Sequence, residues 1–409
     1  MSANRYNAGS NYYYLDQSQP RRWWHTLLHL LLVLVTVLFA GALVMAYLST
    51  GISPERSWIF AFFGLGAPFL FFGNFVLLLV WILRWRWWAL VSAITLLLGL
   101  GHLGTLVRFD FRKEYPAENT TAAARRTAKK EPARLSILTY NTHGFVYEQS
   151  RHDGYRRMVD SVAAYVQRMQ PDVICFQEYE TMNRGDVRLI DSLYRDWPYR
   201  AYHFVSGGAE EVGYGVAIFS RLPILKARGT LFEGSRNTML QADLLAGRDT
   251  LRLFNNHLQS TQVDEWSRDR VERLDVRGDK ESKHFVRSLA GRLRDNYRRR
   301  AVQVDTISRM IEASPYPAIV TGDFNDTPVS YTYHKMRGKL DDTFVNAGSG
   351  FAYTYNRLFS MLRIDYVFHA PEFETLEYRS DALPWSDHNP VFVRIDLSPA
   401  DGAAKEKRK

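Results

Sequence analysis

Ile319-Val320-Thr321-Gly322-Asp323-Phe324-Asn325-Asp326-Thr327 is the stretch from which the rest of the chain is best read. Pro315 and Pro317 punctuate the loop ahead of it, and Ala318-Ile319-Val320 is a short apolar run suited to a buried strand. Gly322 allows a tight turn, and Asp323 and Asn325, two apart, face the same way if the segment is extended. A carboxylate beside an amide at the end of a buried strand suits holding and deprotonating a water. The same residues also make an Asx-turn after a strand, so the stretch alone leaves both readings open.

Working outward, other β-like runs end in polar residues in the same way. Leu135–Tyr140 leads to Asn141, Asp172–Gln177 to Glu178, and Leu251–Asn256 to His257. Arg363-Ile364-Asp365-Tyr366 carries Asp365, and Ser386-Asp387-His388 precedes the last apolar run. A site assembled from strand ends has this form in sequence. Alternating strand and helix patterns with clustered hairpins predict an α+β sandwich. Strands are expected near 226–232, 238–244 and 251–257, and helices over 155–169 and 283–313.

The ordered set resembles the endonuclease/exonuclease/phosphatase superfamily of metal-dependent phosphoesterases over about residues 134–397. The resemblance implies a four-layer α/β/β/α sandwich, with the site at one end of two facing sheets. It implies that Glu178 is the principal metal ligand, with Asn141 and Asp387 completing or supporting the metal shell. Asp323 would orient or deprotonate the attacking water, helped by Asn325. His257 and His388 would contact phosphoryl oxygens, and Asp365 would fix the tautomer of His388. Tyr214, in Gly213-Tyr214-Gly215, would reach the substrate phosphate or serve as a core or rim tyrosine. Hard oxygen ligands and the lack of a cysteine among the site residues favour Mg2+ or Mn2+ over structural zinc.

The N-terminal quarter has a different solvent. Leu27–Leu48, Trp58–Leu83 and Trp87–Val107 contain no Asp, Glu, Lys or Arg, and each is long enough to cross a hydrocarbon core. Tryptophans mark the run ends, where interfacial aromatics belong. Three transmembrane helices are therefore expected, with Gly64, Gly66 and Pro68 breaking or kinking the second. His29 and His102 read as interhelical hydrogen-bonders or intramembrane functional groups. The expected organisation is a polar tail (1–22), three spans (23–107), a charged linker (108–133), the hydrolase domain (134–397) and a charged tail (398–409). Arg21-Arg22 and Arg84–Arg86 favour the inside, whereas Arg108, Arg112 and Lys113 after the third run oppose it; with the first span taken as dominant, a multi-pass membrane protein with an extracytoplasmic catalytic domain is expected.

The net charge of +9 suggests a nucleic-acid partner until it is located. Residues 134–400 hold 35 Lys/Arg and 35 Asp/Glu, so the whole excess lies in the flanks, linker and tail. That distribution fits anionic headgroups better than a groove tracking nucleic-acid phosphates. Residues 261–300, ending in Arg298-Arg299-Arg300, are either a phosphate-binding insertion or a solvated, salt-bridged helix. The single cysteine, Cys175, excludes an internal disulfide and reads as a buried hydrophobe.

The expected function is a membrane-anchored phosphoester hydrolase, of nuclease type by weight of family. A lipid or headgroup phosphodiesterase or phosphatase is the alternative favoured by the spans and the neutral domain. A catalytically inactive scaffold is the reading from another class. It would have lost a metal ligand or the Asp-His pair, and none of the set is missing. A transporter lacks the intramembrane acids and arginines that would support it.

Overall fold

The computed structural model describes residues 23–108, 134–145, 153–207, 213–260, 280–357, 360 and 362–398. The N-terminal tail, nearly all of the linker and of the C-terminal tail, and residues 261–279 of the charged segment lie outside them.

The apolar quarter folds as α1 (Trp23–Leu48), α2 (Ile59–Leu65), α3 (Ala67–Leu83), α4 (Ala89–Leu98) and α5 (Leu100–Leu106). Among the described residues, only α1 is by itself long and apolar enough to cross a membrane. The expected second and third spans are instead bent pairs, α2–α3 by 67° and α4–α5 by 69°. The number of spans reaches three only if each bent pair is counted as one. Composition cannot distinguish a bent run from a straight one, and the bends correct the expectation of three continuous helices. The first break falls at Gly66, with Pro68 in the opening turn of α3, as the Gly/Pro cluster predicted. The second falls at Gly99. His102 stacks on Tyr47 at 5.3 Å and meets the ring of His334 edge-on, while His29 meets Trp81 edge-on.

A short strand, β1 (Val107–Arg108), then pairs antiparallel with Gly350–Phe351 (β11). The remaining strands make two six-stranded sheets. The first contains β2 (Arg134–Asn141), β3 (Val173–Thr181), β4 (Tyr199–Gly207), β5 (Gly213–Ser220), β13 (Glu374–Arg379) and β14 (Val391–Asp396). Its order is β13-β14-β2-β3-β5-β4. The second contains β6 (Ile224–Leu231), β7 (Thr238–Ala246), β8 (Asp249–His257), β9 (Ala318–Asp323), β10 (Asp341–Asp342) and β12 (Asp365–His369). Its order is β10-β12-β9-β8-β7-β6.

Side chains alternate across the first sheet as period-2 strands require. Leu135, Ile137, Val173, Cys175, Val216 and Ile218 join residues of the second sheet in the core between them. Leu138, Tyr140, Ile174, Phe176 and Phe219 point the other way, onto α6 (Asp153–Met169) and α7 (Arg184–Leu193). The second sheet is served by α8 (Lys280–Glu312), whose Val304 and Ile307 enter the core and whose Gln303 accepts a hydrogen bond from Gln259 N. This is the α+β sandwich that the strand and hairpin pattern predicted. Cys175 is fully buried within the core, and burial pushes its thiol up to about 12.

Candidate active site

Each sheet contains one parallel pair, β2/β3 and β8/β9, so the C-terminal ends of four strands gather at one end of the sandwich. Register then does much of the placing. Asn141 lies level with Gln177, His257 with Asp323, and Asp323 with Asp365 across the antiparallel β9/β12 pair. Glu178 occupies an irregularity in the β3/β5 register between Phe176 and Tyr179 and has a φ of 49°. Such a bulge re-aims a side chain, and a positive φ in a non-glycine residue is unusual enough to imply a function. Gly322 is inside β9 rather than at a turn. Its φ is 120°, and a Cβ there would lie 2.0 Å from the Asn256 carbonyl oxygen, so only glycine lets β9 approach β8 this closely.

The side chains converge as a network. Asn141 Nδ2 donates to Asp323 Oδ2 at 3.0 Å and to Glu178 Oε1 at 3.2 Å. Asn325 Nδ2 donates to Asp323 Oδ2 at 3.0 Å, and its backbone N–H to Oδ1 at 2.8 Å. The second of these bonds is the Asx-turn that the opening stretch also allowed. Their mutual orientation arises differently from the extended segment expected, because Asn325 has a φ of 54°. His388 Nδ1 lies 2.9 Å from Asp365 Oδ2, and its Nε2 faces Asp323 Oδ2 at 3.8 Å. His257 Nε2 is 3.5 Å from Glu178 Oε1 and 3.9 Å from Asp323 Oδ2. Ser386 fixes the segment bearing Asp387 and His388 by donating to the Asn141 carbonyl at 2.8 Å.

Electrostatics divide the groups into roles. Burial pushes the Asp323 carboxyl up to about 6, against the pull of His388 and His257. Burial alone would lower the His388 imidazole, but the Asp365 and Asp323 carboxylates outweigh it and hold the pKa well above the ordinary value. Burial raises the Tyr214 hydroxyl, with Glu178 adding to the effect. Tyr214 therefore stands at the rim of the site, half-buried, with the Arg236 guanidinium 5.5 Å from its ring centre.

The residues suit a divalent cation. Glu178, Asp323 and Asp387 bring carboxylates together, and they are faced by histidines, which carry charge only when protonated. His257 Nε2 is buried and has no hydrogen-bond partner, although acids face it. A hard cation among oxygen donors would offset the excess of acid. Asp323, Asp365 and His388 also have ligand atoms within 4.8 Å of one another. Within that trio His388 Nδ1 already bonds to Asp365, while its Nε2 stands 3.8 Å from Asp323 Oδ2, outside hydrogen-bond reach.

All the residues singled out in the sequence thus meet at this end of the sandwich, with Tyr214 at its edge. Two more belong with them. His143 stands between the Glu178 and Asp387 carboxylates, its Nδ1 at 3.7 and 3.3 Å, on a backbone with a φ of 49°. Asn255 lies beneath, accepting from Gln177 Nε2 at 2.6 Å and donating to the Phe176 and Ala217 carbonyls, a polar tie between the sheets. The signal for Asn255 was present, as an Asn-Asn pair closing an apolar strand just before His257.

Comparison with known proteins bears on both parts of the chain. Residues 28–106 match a family described as a domain of unknown function. No curated protein matches the chain. Among solved structures, a D. rerio TDP2 humanised by 14 mutations is 16% identical, with a TM-score of 0.46, covering 65% of this chain and 100% of its own. An endonuclease/exonuclease/phosphatase from Beutenbergia cavernae is 16% identical with a TM-score of 0.47, covering 65% of this chain and 72% of its own. D. rerio TDP2 complexed with a single-strand DNA product is 14% identical with a TM-score of 0.45, covering 64% and 99%. Residues 138–388 match the endonuclease/exonuclease/phosphatase family, more than half of the chain, and the protein is a member of that family of metal-dependent phosphoesterases.

Proposed function

We propose that the protein is a membrane-anchored phosphodiester hydrolase whose substrate lies at the membrane surface. The observation that carries the chemistry is the hydrogen-bonded Asp365–His388 pair aimed at the buried Asp323, beside the Glu178, Asn141 and Asp387 cluster. Asp323, with a pKa near 6, takes a proton from a water positioned with the help of Asn325. His388, kept cationic by Asp365, meets the developing charge on the phosphoryl oxygens, and His257 does so from the other side. Glu178, Asn141 and Asp387 would hold Mg2+ or Mn2+, which would neutralise phosphate charge and steady the leaving oxygen. Tyr214 contacts the substrate at the rim.

In this reading α1 crosses the bilayer, α3 and α4 pack beside it, and α2 and α5 turn out at the bends towards the hydrolase domain. Large apolar side chains exposed on α1, α3 and α4, such as Leu34, Leu38, Phe72, Phe75, Ile94 and Leu97, suit a lipid surround. With Arg21-Arg22 inside and the first span dominant, the hydrolase domain would lie outside the cytoplasm. The balanced charge of the domain favours a lipid headgroup over nucleic acid as the source of the phosphodiester.

The test uses the full chain in lipid nanodiscs with Mg2+, against sphingomyelin vesicles, phosphoinositide vesicles, RNA and supercoiled plasmid. Glu178→Gln is expected to keep the fold and to lose turnover to below about one hundredth of the parent, since even outer-shell partners are worth 10–100-fold. Equal turnover in variant and parent would remove Glu178 from the metal site. Nicking of plasmid without lipid turnover would establish the nuclease reading in place of the lipid one.

A further inference from the structure

The loop leaving β9 begins with the Asp323 and Asn325 pair and is seated, a few residues on, against the helix module. Thr327 Oγ1 donates to the Gly64 carbonyl at 2.9 Å, and the Ser49 hydroxyl, shared with the Ala46 carbonyl at 2.6 Å, reaches the Val329 carbonyl at 2.9 Å, both contacts to the loop being buried. Val329 packs in one apolar cluster with Leu43, Ala46, Ala67 and Phe71. The Gly64 carbonyl is available for a reason legible in the sequence. Its partner four residues on in a continuing helix would be Pro68, which has no N–H. The fit at that point is close, since a Cβ on Gly64 would lie 2.4 Å from Val329 O and 2.6 Å from Ser49 Oγ.

The stretch between this seat and the catalytic pair is also fixed. Asp326 Oδ2 accepts from Thr332 at 2.7 Å and faces the Arg300 guanidinium at 3.1 Å, while Tyr366 donates to the Asp326 carbonyl at 2.8 Å. Asn325, with its positive φ, is held by contacts on both sides. A simple tether would need no buried hydrogen bonds to the loop that carries the chemistry.

We infer that Ser49 and Gly64 are positioning residues for hydrolysis: the helix module sets the loop that presents Asp323 and Asn325, and turnover depends on that seating. This rests on the roles proposed above for Asp323 and Asn325.

The full chain in nanodiscs, with Mg2+ and the phosphodiester bis(4-nitrophenyl) phosphate as probe, tests it. Gly64→Ala and Thr327→Val are expected to lower kcat by about 10- to 100-fold with KM changed less than about twofold, as misplacement of catalytic groups does. Thr327→Ser, which keeps the hydroxyl, restores most of the rate. Gly41→Ala, where an added Cβ meets nothing within 4 Å, matches the parent. Hydrogen exchange is the second readout, and Gly64→Ala should speed exchange at residues 325–330 while leaving β2 and β14 protected. Unchanged kcat with unchanged exchange overturns the inference. So does faster exchange spread through the whole sandwich, which would make the contact one of general stability. If the parent hydrolyses no phosphodiester the active-site reading falls, and the exchange pattern alone then decides the seating.

Discussion

His334 is uncharged in the folded protein at neutral pH. Burial pushes its pKa down from 6.5 to about 4, with His102 and Arg337 adding to the push, and its Nε2 has no hydrogen-bond partner. Between those two pH values the unfolded chain binds a proton that the folded one refuses. Stability is therefore complete above pH 6.5 and is lost as pH falls towards 4, by up to about 3 kcal/mol. Thermal unfolding followed from about pH 7.5 to 4.5 should show the parent losing more Tm than His334→Gln; parallel curves would mean that His334 titrates normally. At this scale the sequence was informative where a polar residue ended an apolar run, as with Glu178 and His257. It was silent on His143, a lone histidine in a loop whose meaning comes only from the two carboxylates that the fold brings to it.

Helix α8 shows what periodicity reveals and what it hides. Its helical pattern is readable, but Arg298-Arg299-Arg300, within the helix, reads in sequence only as phosphate-binding or solvated. Arg298 and Arg299 are exposed, whereas Arg300 is fully buried against Asp326 and donates from Nε to the Gln259 carbonyl at 2.7 Å. A side chain's burial depends on which element packs over it, and charge runs carry no record of that. Arg300→Met leaves the Asp326 carboxylate buried without its cation, which costs about 3–5 kcal/mol. Pairing it with Asp326→Asn should recover much of that loss in thermal unfolding. An additive double variant would deny the coupling. The bends have the same lesson in mixed form. Gly64, Gly66 and Pro68 announced the break before α3, but Gly99, in an apolar run that also holds Gly101 and Gly104 and no proline, did not announce the one before α5.

Across the whole molecule, alternating strand and helix patterns with clustered hairpins were enough to foresee the α+β sandwich, while a site at one end of two facing sheets was an expectation carried by the family resemblance. The contact between the helices and the hydrolase domain was not foreseeable, because Ser49, Gly64, Thr327 and Val329 are small or apolar residues with no pattern of their own. Cys175 gives the intact fold one more property. It is the only thiol, it lies between the sheets, and it is both shielded and held protonated. A maleimide can reach it only when the sheets part, so the alkylation rate is a clock for global opening, built into the chain without an added label. The native protein should stay unmodified for hours in excess reagent and take up one adduct promptly in denaturant. Rapid labelling of the native protein would mean that the two sheets breathe apart locally. With the clock running, any ligand that fastens the sandwich shut would register as a slower tick, whatever its chemistry.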